Sequence, residues 1–398
     1  MMGGVSQSPS FDEAVLLGRG APQNPADTHN PADVAIPAEP PDLTEAAATT
    51  PPVTRRALIG SVSLMAAMLL LAGLAVLPAP YAIRSPGPTQ DTLGEVNGTP
   101  LISITGADVY PATGQLRLTT VSVAGGPGFP VNVAQVVQGW LGRNQSVQPA
   151  DEVFPPNQTQ EESQQQGQAE MISSQENATV AALTALGYEV PATLTVAGTS
   201  DGTGAAGVVQ KDDVITGIDG TTVVSYQDLI DKLAATEPGA TVDLTVQRAG
   251  TTKTLSVVTT DRDGKAVLGV FLDPTFDFPV NVQIKIDDIG GPSAGTMFAL
   301  GIMDLLTPDD EAGGQSIAGT GTISVVGDVG AIGGIEQKMA GAKRDGATWF
   351  LAPADNCADA ARAIPRGLHV VKVTTLQDAW AAVKAIGAGT GETLPTCG

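Results

Sequence analysis

The sequence predicts an α+β protein in which one transmembrane helix precedes at least two folded domains. Three observations lead to this fold class. Residues 57–77 form an apolar run without charge or proline, segments such as 115–123 alternate polar and apolar side chains as strands do, and segments such as 225–236 carry apolar residues at helical spacing. The length of 398 residues exceeds what one hydrophobic core normally supports, so two or three domains are expected.

The composition disfavours two large classes of function. The chain has 42 acidic and 20 basic residues, and basic side chains never cluster in runs longer than two, so we expect no nucleic-acid partner. Two cysteines and two histidines are too few for most zinc sites. We therefore expect neither a metal nor another cofactor.

The N-terminal region predicts a membrane anchor in the cell membrane. Residues 1–53 are rich in proline, alanine and acidic residues without apolar periodicity, which predicts a disordered acidic tail. Arg55 and Arg56 precede the span 57–77, and only Arg84 follows it closely, so the positive-inside rule predicts a cytoplasmic tail and an extracytoplasmic remainder. A buried core helix and a cleaved signal peptide are the alternatives. The first would normally have a polar face, and the second would lie nearer the first residue.

Two further predictions concern the exported part. Residues 83–94, which contain the run Pro86-Gly87-Pro88, are expected to form a linker. Cys357 and Cys397 lie where oxidation is possible, so we expect them to form a disulfide, with two free thiols as the alternative.

Residues 190–262 have the organisation of a small β-rich domain. A glycine-rich turn, two short strands, a helix that begins near Ser225 and a hairpin around Ala249-Gly250 follow in order. The segment AAGVVQKDDVITGIDGTTV resembles the PDZ domains of bacterial proteases. This resemblance implies capture of an extended peptide by strand addition, with a carboxylate-binding loop near Gly204, Gly207 and Val208.

The C-terminal part delivers a serine at a strand-to-helix turn. Ser293 follows an alternating strand and precedes an apolar helix, so its hydroxyl is expected near helix N–H groups that can stabilise an oxyanion. An ordinary capping serine is the alternative. The one histidine beyond the span, His369, is expected to be structural within a strand, which leaves a buried lysine as the base. Lys338 borders an apolar helical stripe, although such a lysine is more often a surface residue.

Two motifs together resemble the Lon-type Ser-Lys protease domain: GGPSAGTMFAL and AGTGTISVVGDVGAIGGIEQKMAGAKRDGA. The resemblance implies that Ser293 is the nucleophile, Lys338 its general base and Thr320 a hydrogen-bond partner of the lysine, with Gly291 and Ala294 in supporting positions. Gly291 stands where the family usually has aspartate. Asp287 or Asp288 is expected to replace that acid in part.

The resemblance also implies a domain organisation and a function. Residues 95–189 and 268–398 would form one Lon-type proteolytic domain with the PDZ domain inserted, as in bacterial membrane-anchored PDZ-containing Lon-like proteases. The chain lacks a Gly-x-x-x-x-Gly-Lys-Ser/Thr loop, so ATP is not an expected partner, and protein or peptide substrates are expected to arrive extended or unfolded. Lon-like domains often form rings, which makes a homo-oligomer an expectation.

Two rival functions remain at this stage. A catalytically silent PDZ scaffold would bind peptides or protein C-termini at the membrane surface. A His-dependent serine protease would need a placed histidine and an acidic partner, and the sequence offers neither.

Overall fold

The structure is a computed structural model that describes residues 54–155, 158–286 and 289–398. The predicted tail, 1–53, lies outside the described residues, as do Asp287 and Asp288. The helices are α1 Arg55–Val76, α2 Val133–Leu141, α3 Ala150–Val153, α4 Gln160–Ala185, α5 Tyr226–Ala234, α6 Gly295–Leu306, α7 Ile335–Arg344, α8 Cys357–Ala360 and α9 Leu376–Gly387. The strands are β1 Pro78–Ala79, β2 Tyr81–Asp91, β3 Glu95–Val96, β4 Thr99–Pro100, β5 Ile102–Thr105, β6 Gln115–Ala124, β7 Val131–Asn132, β8 Ser146–Pro149, β9 Ala192–Thr199, β10 Val214–Ile218, β11 Thr221–Thr222, β12 Thr241–Arg248, β13 Thr251–Val258, β14 Thr260–Arg262, β15 Lys265–Val267, β16 Val270–Phe276, β17 Asn281–Ile284, β18 Ser316–Gly319, β19 Thr322–Ile323, β20 Val329–Gly330, β21 Trp349–Pro353 and β22 His369–Val373.

Helix α1 agrees with the predicted span. Its 22 residues include none that is buried, and an 18-residue window has a mean hydropathy of 2.2. At 1.5 Å per residue the helix is about 33 Å long, close to the ~30 Å hydrocarbon core of a bilayer. It is therefore long and apolar enough to cross a membrane.

The larger folded part is built on a six-stranded sheet with the order β22-β21-β18-β6-β2-β8. The first four strands are parallel, and β2 runs antiparallel to both β6 and β8. Alternate side chains enter two separate cores, as the two-residue period of a strand requires. Leu351 packs with α4, α6 and α9, whereas Phe350 packs with α7 and α8 on the opposite face. The sheet therefore holds α6 and α7 on opposite faces.

Residues 83–94 are not the predicted linker. Most of them belong to β2, which pairs with β6 along its length and with β8 over its first residues. Pro86 and Pro88 lie beyond the part of β2 that pairs with β8, and the pairing with β6 shifts register between Pro86 and Thr89. A proline lacks the N–H that a strand donates, so it is tolerated at such an irregularity. The prolines that suggested a linker thus mark a bulge.

The inserted unit is an antiparallel sheet of its own, with the order β13-β12-β10-β9-β16 and β11 beside β10. Helix α5 packs on it through Leu229 and Leu233, after a capping box in which Ser225 Oγ accepts from the N–H of Asp228 at 3.0 Å. The sheet ends at Phe276, later than the predicted domain end at residue 262. Strand β16 pairs with β9, a contact between distant segments that local patterns do not contain.

Candidate active site

Ser293 lies in the turn between β17 and α6, next to Ala294, the residue that caps α6. The turn is held against the end of β18, because the N–H of Gly321 donates to the Ser293 carbonyl oxygen at 2.9 Å. The Oγ atom of Ser293 lies 2.7 Å from the Nζ atom of Lys338. The structure therefore brings together the two residues predicted as nucleophile and base.

Lys338 reaches the serine from α7 on the other side of the sheet. This helix begins after Gly334, whose φ of 72° favours glycine, and a β-carbon there would lie 2.7 Å from Cγ2 of Val121. Glycine thus lets α7 start close to β6. The Lys338 side chain is only 3% exposed, and burial lowers the pKa of its amine to about 7. A substantial fraction of the amine is therefore neutral near pH 7.

Thr320 orients the lysine. Its fully buried hydroxyl donates to the Ser293 carbonyl oxygen at 3.0 Å, and its oxygen lies 2.8 Å from Lys338 Nζ. Because the hydroxyl proton is directed at the carbonyl, the oxygen is left to accept from the amine. This arrangement turns the lone pair of a neutral amine towards the Ser293 hydroxyl.

The start of α6 offers donors for a developing negative charge. The N–H of Gly291 is already used, since it donates to the Gly167 carbonyl at 2.9 Å. Within the described ranges, the N–H groups of Ser293 and Ala294 donate to no protein acceptor. They stand beside the nucleophile at a helix N-terminus, where the helix dipole adds to their effect. These two groups are the candidate oxyanion donors.

Helix α4 supports the turn of residues 290–294 that carries Ser293, called here the nucleophile turn. Sequence reasoning did not predict this support. Gly167 O accepts from Gly291, and Ser174 Oγ donates to the Pro292 carbonyl at 3.0 Å. A β-carbon on Gly290 would lie 3.2 Å from the Gly167 backbone, so the close approach favours glycine in the turn. In the sequence, Gly167 within the Gln/Glu-rich segment 157–177 is the only local indication of this contact.

A cleft of about 680 Å³ opens beside Ser293 and Lys338. Its walls are the end of β6, the nucleophile turn and the residues before α7. Arg84 of β2 and Met171 of α4 also line it. Asn356 holds one wall: its side chain accepts from the N–H of Ile332 at 2.8 Å and donates to the Ile332 carbonyl at 3.0 Å. A peptide bond can therefore approach the serine from solvent.

Other predicted site residues lie apart from this cleft. Cys357 and Cys397 are joined by a disulfide with a Cα–Cα distance of 4.7 Å. His369 starts β22 and stacks on Trp349, with ring centroids 4.6 Å apart. No three His, Cys, Asp or Glu side chains in the described ranges are grouped so as to hold a metal ion.

Gly204, Gly207 and Val208 lie in the turn before β10, outside the groove of the PDZ unit. That groove, about 630 Å³, runs between α5 and the β15–β16 segment. The turn instead has a packing role: a β-carbon on Gly204 would lie 2.0 Å from the Val258 carbonyl oxygen, and the Val208 carbonyl accepts from Arg248. The predicted carboxylate loop is thus not where the structure places the groove.

The described folds and motifs match known families. Residues 286–383 match the model of the Lon protease (S16) C-terminal proteolytic domain, and residues 189–259 match the PDZ domain model. Among curated proteins, the Lon protease of Fusobacterium nucleatum is 44% identical over 69 residues, which is 17% of this chain and 9% of that protein. The Lon protease of Azospirillum brasilense is 35% identical over 105 residues, 26% of this chain and 13% of that protein.

The similar solved structures include a PDZ domain. The PDZ domain of the SdrC-like protein from Listeria monocytogenes is 28% identical, covers 20% of this chain and 86% of that chain, and has a TM-score of 0.19. The chain spans about a tenth of the length of the two curated relatives. The predicted resemblance is confirmed over the matched residues: 286–383 are similar to the Lon-type proteolytic domain, which supports a peptidase, and 189–259 to the PDZ domain, in a chain with one helix long and apolar enough to span a membrane.

Proposed function

We propose that this protein is a membrane-anchored, ATP-independent serine endopeptidase that uses a Ser293–Lys338 dyad. The observation that carries the proposal is the 2.7 Å approach of Lys338 Nζ to Ser293 Oγ, within a site where burial lowers the pKa of that lysine to about 7. An amine with such a pKa accepts a proton from a serine hydroxyl near neutral pH, which an ordinary surface lysine does not.

The steps follow from the positions of the donors and acceptors. The neutral amine of Lys338 takes the Ser293 hydroxyl proton while the oxygen attacks a substrate carbonyl carbon. The N–H groups of Ser293 and Ala294 donate to the oxyanion. The lysine, now an ammonium, gives its proton to the leaving amine, and water then hydrolyses the acyl-enzyme with the lysine again as base. Thr320 keeps the amine in place through both steps.

The substrate is an extended or unfolded protein segment. The cleft beside Ser293 is open to solvent, and the chain contains no phosphate-binding loop that would couple ATP hydrolysis to unfolding. The PDZ groove supports recruitment, because β16 is the edge strand of its sheet and lines the groove together with α5, and an edge strand is what strand addition needs. Val326 and Asp328, between β19 and β20, also line this groove, so a bound peptide would contact the proteolytic domain.

The proteolytic and PDZ domains act outside the cytoplasm. Arg55 and Arg56 before the span favour a cytoplasmic N-terminus, and the Cys357–Cys397 disulfide suits an oxidising compartment. Alkylation of thiols in intact cells, with and without reductant, tests this side of the proposal. Both cysteines should react only after reduction. Reaction of both without reductant would contradict it.

The test of the dyad is cleavage of an unfolded protein by the full chain in detergent. Ser293→Ala and Lys338→Ala should each remove activity, whereas Lys343→Ala, a control on the same helix whose amine donates to the Gly367 carbonyl, should retain it. Activity should be the same with ATP and after enzymatic removal of ATP. Cleavage by either dyad variant would overturn the mechanism.

The alternative is a PDZ scaffold whose proteolytic domain is catalytically silent. The two functions differ in the reactivity of Ser293. A serine-directed phosphonate should label the wild-type chain at Ser293 and should not label Lys338→Ala. A wild-type chain that binds peptides and stays unlabelled would favour the scaffold.

A further inference from the structure

Helix α2 has a second apolar face that the described residues leave largely exposed. One side packs through Val136 and Gly139 against Ile83 and Val147 of β2 and β8. On the other side Val137, Trp140 and Leu141 are 44%, 62% and 80% exposed. Their i, i+3, i+4 spacing puts them on one stripe, called here the α2 face. An exposed apolar stripe of this kind marks a surface that contacts another protein or a membrane.

The α2 face lies next to the carboxyl end of α1. The N–H of Val133, the first residue of α2, donates to the Leu77 carbonyl at 3.1 Å, and β1 pairs with β7 immediately before α2. At 1.5 Å per residue, Leu141 is within about 14 Å of that junction along the helix. If α1 crosses a bilayer, as the proposed function holds, α2 starts where the hydrocarbon ends. The α2 face therefore begins next to the surface of α1 that lipid would cover.

Charge and side-chain type around α2 also suit a lipid interface. Arg143 is the only charged residue between Leu118 and Ala150, in a chain whose net charge is −22. No acidic side chain of that stretch would repel anionic headgroups. Trp140 packs edge to face on Tyr81, with ring centroids 6.0 Å apart. Tryptophan and tyrosine are the residues that favour the boundary between headgroups and hydrocarbon.

We propose that the α2 face inserts into the lipid interface at the carboxyl end of α1. The folded part is then held to the bilayer at two places, the span and α2, and its orientation on the membrane is fixed. This inference rests on the proposed membrane anchor. It adds a docking surface that the anchor alone does not require.

The test measures contact between Trp140 and lipid in the full chain. The protein is reconstituted in phosphatidylcholine–phosphatidylglycerol vesicles, with or without phosphatidylcholine brominated at positions just below the headgroup. The chain has three tryptophans, so brominated lipid should lower total emission by about a third. Trp140→Phe should remove that loss. Leu141→Asp, at a position 80% exposed, should also reduce it without unfolding the protein.

A matched control moves the reporter. Phe271 of the PDZ unit is 61% exposed, close to the 62% of Trp140, so Trp140→Phe combined with Phe271→Trp places an equally exposed tryptophan elsewhere. This variant should show no lipid quenching. Equal quenching at both positions would contradict a contact confined to α2.

The remaining outcomes separate this inference from the anchor. A chain that fails to float with the vesicles would overturn the anchor and the docking surface together. A chain that floats but shows the same emission in both lipids would overturn the docking surface alone. If Trp140 is unquenched and Leu141→Asp instead dissociates an oligomer, the face binds a second copy of the chain and the lipid proposal is wrong.

Discussion

Lys338 Nζ and Ser293 Oγ are 2.7 Å apart, although Ser293 precedes α6 and Lys338 lies within α7, two helices that pack on opposite faces of the six-stranded sheet. The contact places a nearly fully buried amine against a hydroxyl that faces an open cleft. A base without solvent and a nucleophile with access to substrate are what amide hydrolysis by a dyad requires.

Activity should depend on pH through the lysine. Because burial lowers the pKa of Lys338 to about 7, the neutral form is lost as the pH falls below 7. The value of kcat/KM should therefore decrease about tenfold per unit well below that pH and reach a plateau above pH 8. Initial rates on an unfolded substrate between pH 5 and 9 measure this. A plateau that extends down to pH 5.5 would argue against Lys338 as the base.

The free energy of unfolding should also depend on pH through Lys338. The unfolded lysine has a pKa near 10.4. Between about pH 7 and 10 the unfolded state thus binds more protons than the folded state, and stability rises with pH over that window. Lys338→Met removes the buried amine and should raise the free energy of unfolding at pH 7 by about 1–3 kcal/mol, with a smaller gain at pH 10. Denaturant titrations at the two pH values test it; a loss of stability at pH 7 would contradict it.

Thr320 should act through the orientation of the lysine. Thr320→Val keeps the shape and removes the hydroxyl that contacts Lys338 Nζ and the Ser293 carbonyl. We expect kcat to fall by about 10–100-fold, as for other buried groups that orient a catalytic residue. Thr320→Ser restores the hydroxyl and should recover most of the rate. Equal losses in the two variants would show that the hydroxyl is not what matters.

The Lon-type family usually has aspartate at the position of Gly291. Gly291→Asp should lower the stability of this protein and change its pH–rate profile. The φ of +90° at Gly291 favours glycine, so a side chain there should cost about 1–2 kcal/mol of stability. An aspartate would also place a carboxylate in the cleft with Lys338 and raise the pKa of the lysine. The pH–rate profile of Gly291→Asp should move to higher pH, whereas Gly291→Asn has the same strain and should not shift it. Superimposable profiles would refute the electrostatic part.

The PDZ unit should depend on the Asp213–Arg248 ion pair. The guanidinium donates to both oxygens of the buried carboxylate at 2.7 Å and holds the pKa of Asp213 below its usual value. This stabilisation is present at neutral pH and is lost as the pH falls through the lowered pKa. Arg248→Leu should destabilise the unit by about 3 kcal/mol because it leaves the buried carboxylate of Asp213 without its counter-ion, and Asp213→Leu in addition should recover much of that loss. Additive losses in a thermal-unfolding double-mutant cycle would exclude the coupling.

Local sequence patterns predict the elements of the fold that are determined by residues close together in the sequence. Helix α5 could be predicted from a capping serine and an apolar stripe, whereas the dyad was implied by the resemblance of two motifs to the Lon-type domain. The support from Ser174 could not, because its acceptor is Pro292, 118 residues away. The location of the PDZ groove depends on which strand forms the edge of the sheet. The sequence of β2 does not distinguish a strand from a linker, because a bulge and a linker both use proline.

The PDZ unit begins and ends on paired neighbouring strands, with Ala192 of β9 directly opposite Phe276 of β16. For the proteolytic domain, the folded insert is equivalent to a tight turn that joins its two halves. An unfolded insert is instead a long flexible loop, whose closure costs about 3 kcal/mol more by the logarithmic dependence on loop length. The folding of the two domains is therefore coupled without any need for side-chain contacts between them, and a destabilised PDZ unit also weakens the catalytic fold.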